Sequence, residues 1–148
     1  MEKKDLKPAG VFKYFEEICQ VPRPSKKEEK MIAYLKAFGA KHNLETKVDE
    51  AGNVLIKKPA TPGKENLQTV VLQSHIDMVC EKNNDVQHDF LTDPIETEID
   101  GEWLKAKGTT LGADNGIGVA TELAILADDS IEHGPLECLF TVDEETGL

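Results

Sequence analysis

Apolar residues recur at helical spacing from Pro8 to Gln20, where Val11, Phe12, Phe15, Ile18 and Cys19 share one face. Val21-Pro22-Arg23-Pro24 then breaks the chain, because proline cannot continue a helix interior. Ser25 with Glu28 has the form of a capping box opening a second helix, whose stripe is Met31, Ile32, Leu35 and Phe38. After Asn43 the period changes to two. Thr46-Lys47-Val48 and Val54-Leu55-Ile56, around a turn near Gly52-Asn53, predict a hairpin.

Thr61 to Gln68 reads as a polar surface loop, followed by Thr69-Val70-Val71-Leu72-Gln73, a β-branched run with the character of a buried strand. Residues 81–93 are polar and predict a long loop. Ile95 to Ile99 and Trp103 to Ala106 flank Asp100-Gly101, a hairpin signal, with Trp103 expected to pack on that hairpin. Lys107 to Gly112 is a Gly/Thr loop. From Asn115 to Ala127 the helical period returns through Ile117, Ala120, Leu123, Ala124 and Leu126. Gly134-Pro135 leads into a last strand, Leu136 to Val142. Helices alternating with buried strands predict an α/β sandwich.

Composition narrows the functional classes. The 148 residues carry 28 acidic and 17 basic side chains, for a net charge of −11. That length can bury a real core as one domain. Arg23 is the sole arginine, and so acidic a chain argues against nucleic acid, which needs clustered cations to neutralise phosphates. No apolar run approaches the roughly 20 residues of a membrane helix. MEKKDLKPAG has no apolar stretch behind it, which argues against a secretory signal. Three widely spaced cysteines, Cys19, Cys80 and Cys138, argue against a disulfide framework and against a thiolate zinc ribbon, and suit a reducing, cytoplasmic setting.

In an open α/β sheet, ligands gather beyond the carboxyl ends of the strands. Three polar clusters fall where such ends should lie: His75-Ile76-Asp77, Gly112-Ala113-Asp114-Asn115-Gly116 and Asp143-Glu144-Glu145. Together they supply one imidazole and five carboxylates, a set suited to zinc, manganese or cobalt. Each cluster alone has a plainer reading. His75 and Asp77 form a common surface or capping pair, Asp114 an N-cap for the following helix, and the acidic triplet a solvated turn. Yet three adjacent carboxylates repel one another unless a cation offsets them. Gly112 and Gly116 do not form a phosphate-binding Gly-x-Gly-x-x-Gly.

Taken jointly, SHIDMVCEKN, GTTLGADNGIG and HGPLECLFTVDEETG resemble the zinc-dependent peptidase family that includes carboxypeptidase G, aminoacylases and carnosinases, and within it the aminoacyl-histidine (Xaa-His) dipeptidase branch, peptidase D. The resemblance runs from the N-terminal helices to Leu148. It implies a three-layer α/β/α sandwich with a mixed β-sheet, and a pair of divalent metal ions, zinc first, with cobalt and manganese as alternatives. By the same resemblance His75, Asp114 and Glu145 are metal ligands, with Asp114 bridging. Asp77 orients His75, and Glu144 is the general base. Two metals about 3.5–4 Å apart can share one carboxylate and one water, whose pKa falls toward 7. Adjacent Glu144 and Glu145 can both face such a site if a loop, not a regular strand, carries them.

The resemblance implies five metal ligands, of which three occur here. It also implies a lid or dimerisation domain and a C-terminal part of the catalytic domain that residues 1–148 do not contain. The chain is therefore expected to be the N-terminal portion of an incomplete di-zinc catalytic domain, inactive alone and with an exposed apolar sheet edge. The expected partners are a small peptide substrate and a second copy through the missing domain. The implied function is metal-dependent hydrolysis of Xaa-His dipeptides, β-alanyl-histidine included. The alternatives are another amino-acid or acyl-amino-acid hydrolase of the family, or a non-catalytic metal-binding module. Cys80 is expected to be a buried neutral thiol. His88 and His133 read as loop residues, and His42 as a residue ending the second helix.

Overall fold

The computed structural model describes residues 1–147. Helix α1 spans Ala9–Cys19 and α2 spans Glu29–Lys41. Strands β1 (Glu45–Val48) and β2 (Val54–Lys58) form the expected hairpin, with Val48 opposite Val54. Strand β3 runs Val70–His75, and β4 (Thr97–Asp100) and β5 (Trp103–Ala106) form a separate two-stranded ribbon. Helix α3 spans Ala113–Ala127, with non-helical backbone at Asp114 and Asn115, and β6 spans Leu136–Thr141.

The four-stranded sheet is mixed, in the order β1-β2-β6-β3. β6 pairs antiparallel with β2 and parallel with β3, so His75 lies opposite Thr141. Val54, Ile56, Cys138 and Phe140 alternate onto one face, where they are fully buried. They join Phe15 and Ile18 of α1, Met31 and Leu35 of α2, and Val119, Leu123 and Leu126 of α3 in one core. Each large apolar side chain buried this way contributes about 1.5–3 kcal/mol. The other face carries Leu55, Lys57, Glu137 and Leu139, all half-buried, with Lys57 and Glu137 paired at 3.5 Å. Lys58 is buried and donates to the carbonyls of Ile125 and Asp128, satisfying the last turn of α3.

Four sequence expectations are corrected. Val70 and Val71 are 50% and 57% exposed, because β3 is an edge strand of the described sheet and only Ser74 and His75 at its end are buried. Trp103 is 76% exposed and packs little on its hairpin. Ser25 makes no capping box: Glu28 is the residue before α2 and gives no side-chain cap, while the Ser25 hydroxyl is bonded elsewhere. Cys80 is half-buried, its thiol directed to the Met78 carbonyl. His42 does end α2, with its ring 4.4 Å from that of Phe38. No helix among the described residues is long and apolar enough to cross a membrane.

Candidate metal centre

The parallel pairing of β3 with β6 brings their carboxyl ends side by side. The Ile76 N–H donates to the Thr141 carbonyl at 2.8 Å, so the residues after His75 and after Thr141 emerge together. Asp143 then adopts φ +53°, a left-handed conformation that a short polar side chain tolerates. The Thr146 hydroxyl bonds to the Asp143 carboxylate, and the Gly147 N–H bonds to the Glu144 carbonyl. This turn, not a continued strand, presents both Glu144 and Glu145. The third contribution comes from the start of α3. Gly112 sits at φ +73°, and its carbonyl accepts the Gly116 N–H at 3.0 Å, holding Asp114 at the mouth of the helix.

The structure brings the three candidate ligands together: one ligand atom each of His75, Asp114 and Glu145 lies within 4.8 Å of the others. His75 Nε2 is 3.0 Å from Asp114 Oδ1 and 3.7 Å from Glu144 Oε2. On its other side Nδ1 is 3.0 Å from the Asp77 carbonyl oxygen and 3.3 Å from Asp77 Oδ1. An N–H on Nδ1 facing that carbonyl leaves the Nε2 lone pair directed at the carboxylates. The His75 ring is nearly buried, whereas the Asp114 and Glu144 side chains are open to solvent. Asp114 makes no N-cap; its side chain faces His75 instead.

Asp77 is fully buried and saturated with donors. It accepts the Ser25 hydroxyl at 2.6 Å, the Glu144 N–H at 3.0 Å and the Glu145 N–H at 3.1 Å. Burial by itself would raise its pKa. The Ser25 hydroxyl, the two backbone N–H groups and the His75 ring outweigh burial and hold Asp77 below the usual carboxylate range. His75 shows the converse balance. Burial disfavours its charged form, yet the Asp114, Asp77 and Glu144 carboxylates prevail and raise its pKa. The carboxylates of Asp114, Asp77 and Glu144 around one ring leave a surplus of negative charge that a cation can take up. One imidazole nitrogen and two carboxylates fit a borderline-to-hard divalent ion, and the buried carboxylate behind His75 is the kind of partner that orients a metal-binding ring.

Residue spacing did not reveal two contributors. Ser25 looked like a helix cap, and its bond to Asp77 crosses 52 residues of sequence. Arg23 stands out in the sequence only as the sole arginine, yet its side chain is buried behind the centre. A lone arginine in a proline-rich break between two apolar helices was the available signal. His88 and His133 lie in loops away from the centre, each with a buried, unpartnered Nε2.

Comparison with known proteins places these features in context. Residues 71–148 match the model of peptidase family M20/M25/M40. The chain is 52% identical over 147 residues to the cytosol non-specific dipeptidase of Escherichia coli strain K12, covering 99% of this chain and 30% of that protein. The crystal structure of aminoacylhistidine dipeptidase from Vibrio alginolyticus superposes with a TM-score of 0.96 at 54% identity, covering 99% of this chain and 30% of that one. Aminopeptidase PepT from Bacillus cereus superposes with a TM-score of 0.76 at 25% identity, covering 93% and 37%. The chain thus spans about a third of the length of the relatives it matches.

Proposed function

This chain belongs to peptidase family M20/M25/M40, and on that premise we propose that it contributes to a metal-dependent hydrolase of dipeptides. Xaa-His dipeptides, β-alanyl-histidine among them, are the first substrate class. The observation that carries this reading is the convergence of His75, Asp114 and Glu145 beside Glu144 at the ends of two parallel strands. His75, Asp114 and Glu145 would hold a pair of divalent ions, zinc first, with Asp114 between them. Such ions, when bound, polarise a carbonyl and acidify a shared water.

The remaining chemistry falls to the protein's own side chains. Glu144 is exposed and 3.7 Å from the His75 ring, beside the position where the centre would hold an attacking water. It would take that water's proton and pass it to the leaving amine, a role worth about 10²–10⁴-fold in rate. Asp77 would keep His75 in one tautomer and fix the backbone that presents both glutamates. Residues 1–148 form, in this reading, the N-terminal portion of the catalytic domain. Because the resemblance implies five ligands and the described residues gather three, activity is assigned to the full-length protein. A homodimer through its second domain and a cytoplasmic setting belong to the same proposal; the E. coli relative is described as a cytosol protein.

The test is release of free histidine from β-alanyl-histidine and other Xaa-His dipeptides by the full-length protein, with and without a chelator. Chelator-sensitive release, restored by zinc, cobalt or manganese and abolished by Glu144→Gln while metal still binds, is the expected result. Undiminished turnover in Glu144→Gln would remove the base from that residue. Release from other dipeptides or acyl-amino acids, but not from Xaa-His, would move the substrate class to a neighbouring branch of the family.

A further inference from the structure

Arg23 stands in the break between α1 and α2 and is 2% exposed. Its two named partners are backbone carbonyls, one on each side of the candidate centre. Nη1 donates to the Ile76 carbonyl at 3.1 Å, between His75 and Asp77, and Nη2 donates to the Gly112 carbonyl at 2.8 Å, two residues before Asp114. The main chain of the same segment adds to the connection. The Met78 N–H donates to the Arg23 carbonyl at 3.1 Å, Pro24 bridges to Met78, and the Ser25 hydroxyl holds Asp77.

The two glycines of the Gly112–Gly116 segment are the other half of this arrangement. A Cβ on Gly112 would lie 2.6 Å from Arg23 Nη2, and one on Gly116 would lie 2.7 Å from the same nitrogen. Both glycines therefore leave room for the guanidinium, which fills the space between the end of β3 and the start of α3. A buried cation that loses its acceptors faces a large desolvation cost, so the group holds its two carbonyls firmly. A planar fork with fixed N–H directions can span two carbonyls in a way an ammonium cannot.

We propose that Arg23 is a positioning residue for the metal centre: its guanidinium sets the spacing of His75 and Asp114 by tying the loop of one to the loop of the other. The inference rests on the metal-site reading above. It concerns geometry, so it predicts a change in the ions' surroundings beyond any loss of stability.

The experiment is cobalt(II) titration of the full-length protein, read by the visible absorption band, for the wild type, Asp114→Ala, Arg23→Lys, Arg23→Met, Gly116→Ala and the Arg23→Met/Gly116→Ala double variant. Far-UV circular dichroism reports the fold in each. Asp114→Ala should abolish or strongly weaken the band. If it binds cobalt as the wild type does, the metal-site reading fails and the role of Arg23 falls with it. With that control in place, folded Arg23→Lys should bind cobalt about 10–100-fold more weakly, the range seen when a ligand's supporting partner is lost, and with a shifted band. Wild-type affinity and band shape in folded Arg23→Lys would overturn the proposal alone. Should Arg23→Met not fold, Arg23→Lys and Gly116→Ala carry the test. Gly116→Ala should weaken cobalt binding by displacing the guanidinium. Where Arg23→Met folds, the same alanine should cost less in its background, because the clash is gone. Gly116→Ala binding cobalt as tightly as the wild type, or an equal cost in both backgrounds, would count against the coupling.

Discussion

The Asp77 carboxylate accepts the backbone N–H of Glu144 at 3.0 Å, joining two residues 67 positions apart in sequence. A buried acid thus fixes the main chain that presents an exposed one. Because the same carboxylate also accepts the Glu145 N–H and the Ser25 hydroxyl, it needs all its acceptor capacity. Asp77→Asn exchanges one acceptor oxygen for an N–H₂ group that faces donors. Loss of about 1–3 kcal/mol of stability is expected, with metal affinity lowered about 10–100-fold. Chemical denaturation of the metal-free protein and zinc titration measure the two effects separately. Wild-type values in both would show that the donors around Asp77 do not depend on its charge.

Glu122 gives the protein a pH-dependent stability unrelated to the centre's own residues. It is 3% exposed in α3, with Oε2 unpartnered, and burial raises its pKa from 4.5 to about 8, with Ser74 and Cys138 opposing that rise. The folded state therefore holds a proton that the unfolded state releases above pH 4.5. The stability from this residue is complete below pH 4.5, declines by about 1.4 kcal/mol per pH unit through the interval to pH 8, and then levels off. Glu122→Gln should flatten that decline and unfold at a higher temperature than the wild type at pH 8–9. Parallel melting profiles for the two proteins between pH 5 and 8 would refute this assignment.

The thiols are expected to divide into two classes. Burial pushes Cys19 and Cys138 up to about 12, with Arg23 opposing the shift at Cys19 and Glu122 adding to it at Cys138. Neither supplies thiolate near neutrality. Cys80 is also raised by burial but is only half-buried. In native protein at pH 8 an aromatic disulfide reagent should modify Cys80 alone, and in denaturant all of Cys19, Cys80 and Cys138. Mass spectrometry of the modified peptides checks it; early labelling of Cys138 would mean that α3 opens readily from the sheet.

The free edge of β3 predicts self-association of residues 1–148 as an isolated polypeptide. Val70 and Val71 are half-exposed there, on a strand whose second edge has no partner among the described residues. Val71→Lys places a cation beside Glu137, its neighbour across the ladder, and should reduce the association seen by sedimentation at matched concentration. Equal association of the two would move the contact to another surface.

How far the sequence foretold these features depended on distance along the chain. The stripes of α1, α2 and α3 and the alternation of β2 and β6 were legible because each records burial within one element. In β3 the sequence misleads: the apolar Val70 and Val71 are exposed because the strand has a neighbour on one edge only, while burial falls on the polar Ser74 and His75. The candidate ligands were legible as clusters at strand ends, and their roles came from family resemblance. Arg23 and Ser25 were not legible in the same way, because their bonds join segments 52 to 89 residues apart, which no local pattern encodes.

Strand β6 is the last of the described strands in sequence and an interior strand of the sheet. A ribosome that has not yet delivered Leu136 has released a hairpin and a lone strand with nothing between them. Phe140 and Cys138, which complete the interior against Val54 and Ile56, are still missing. The nascent polypeptide therefore exposes an open apolar face until β6 emerges and pairs, the condition in which chaperones engage emerging chains. His75 meets Glu145 only after that closure, so the growing chain offers no assembled trap for stray cations before β6 has emerged and paired.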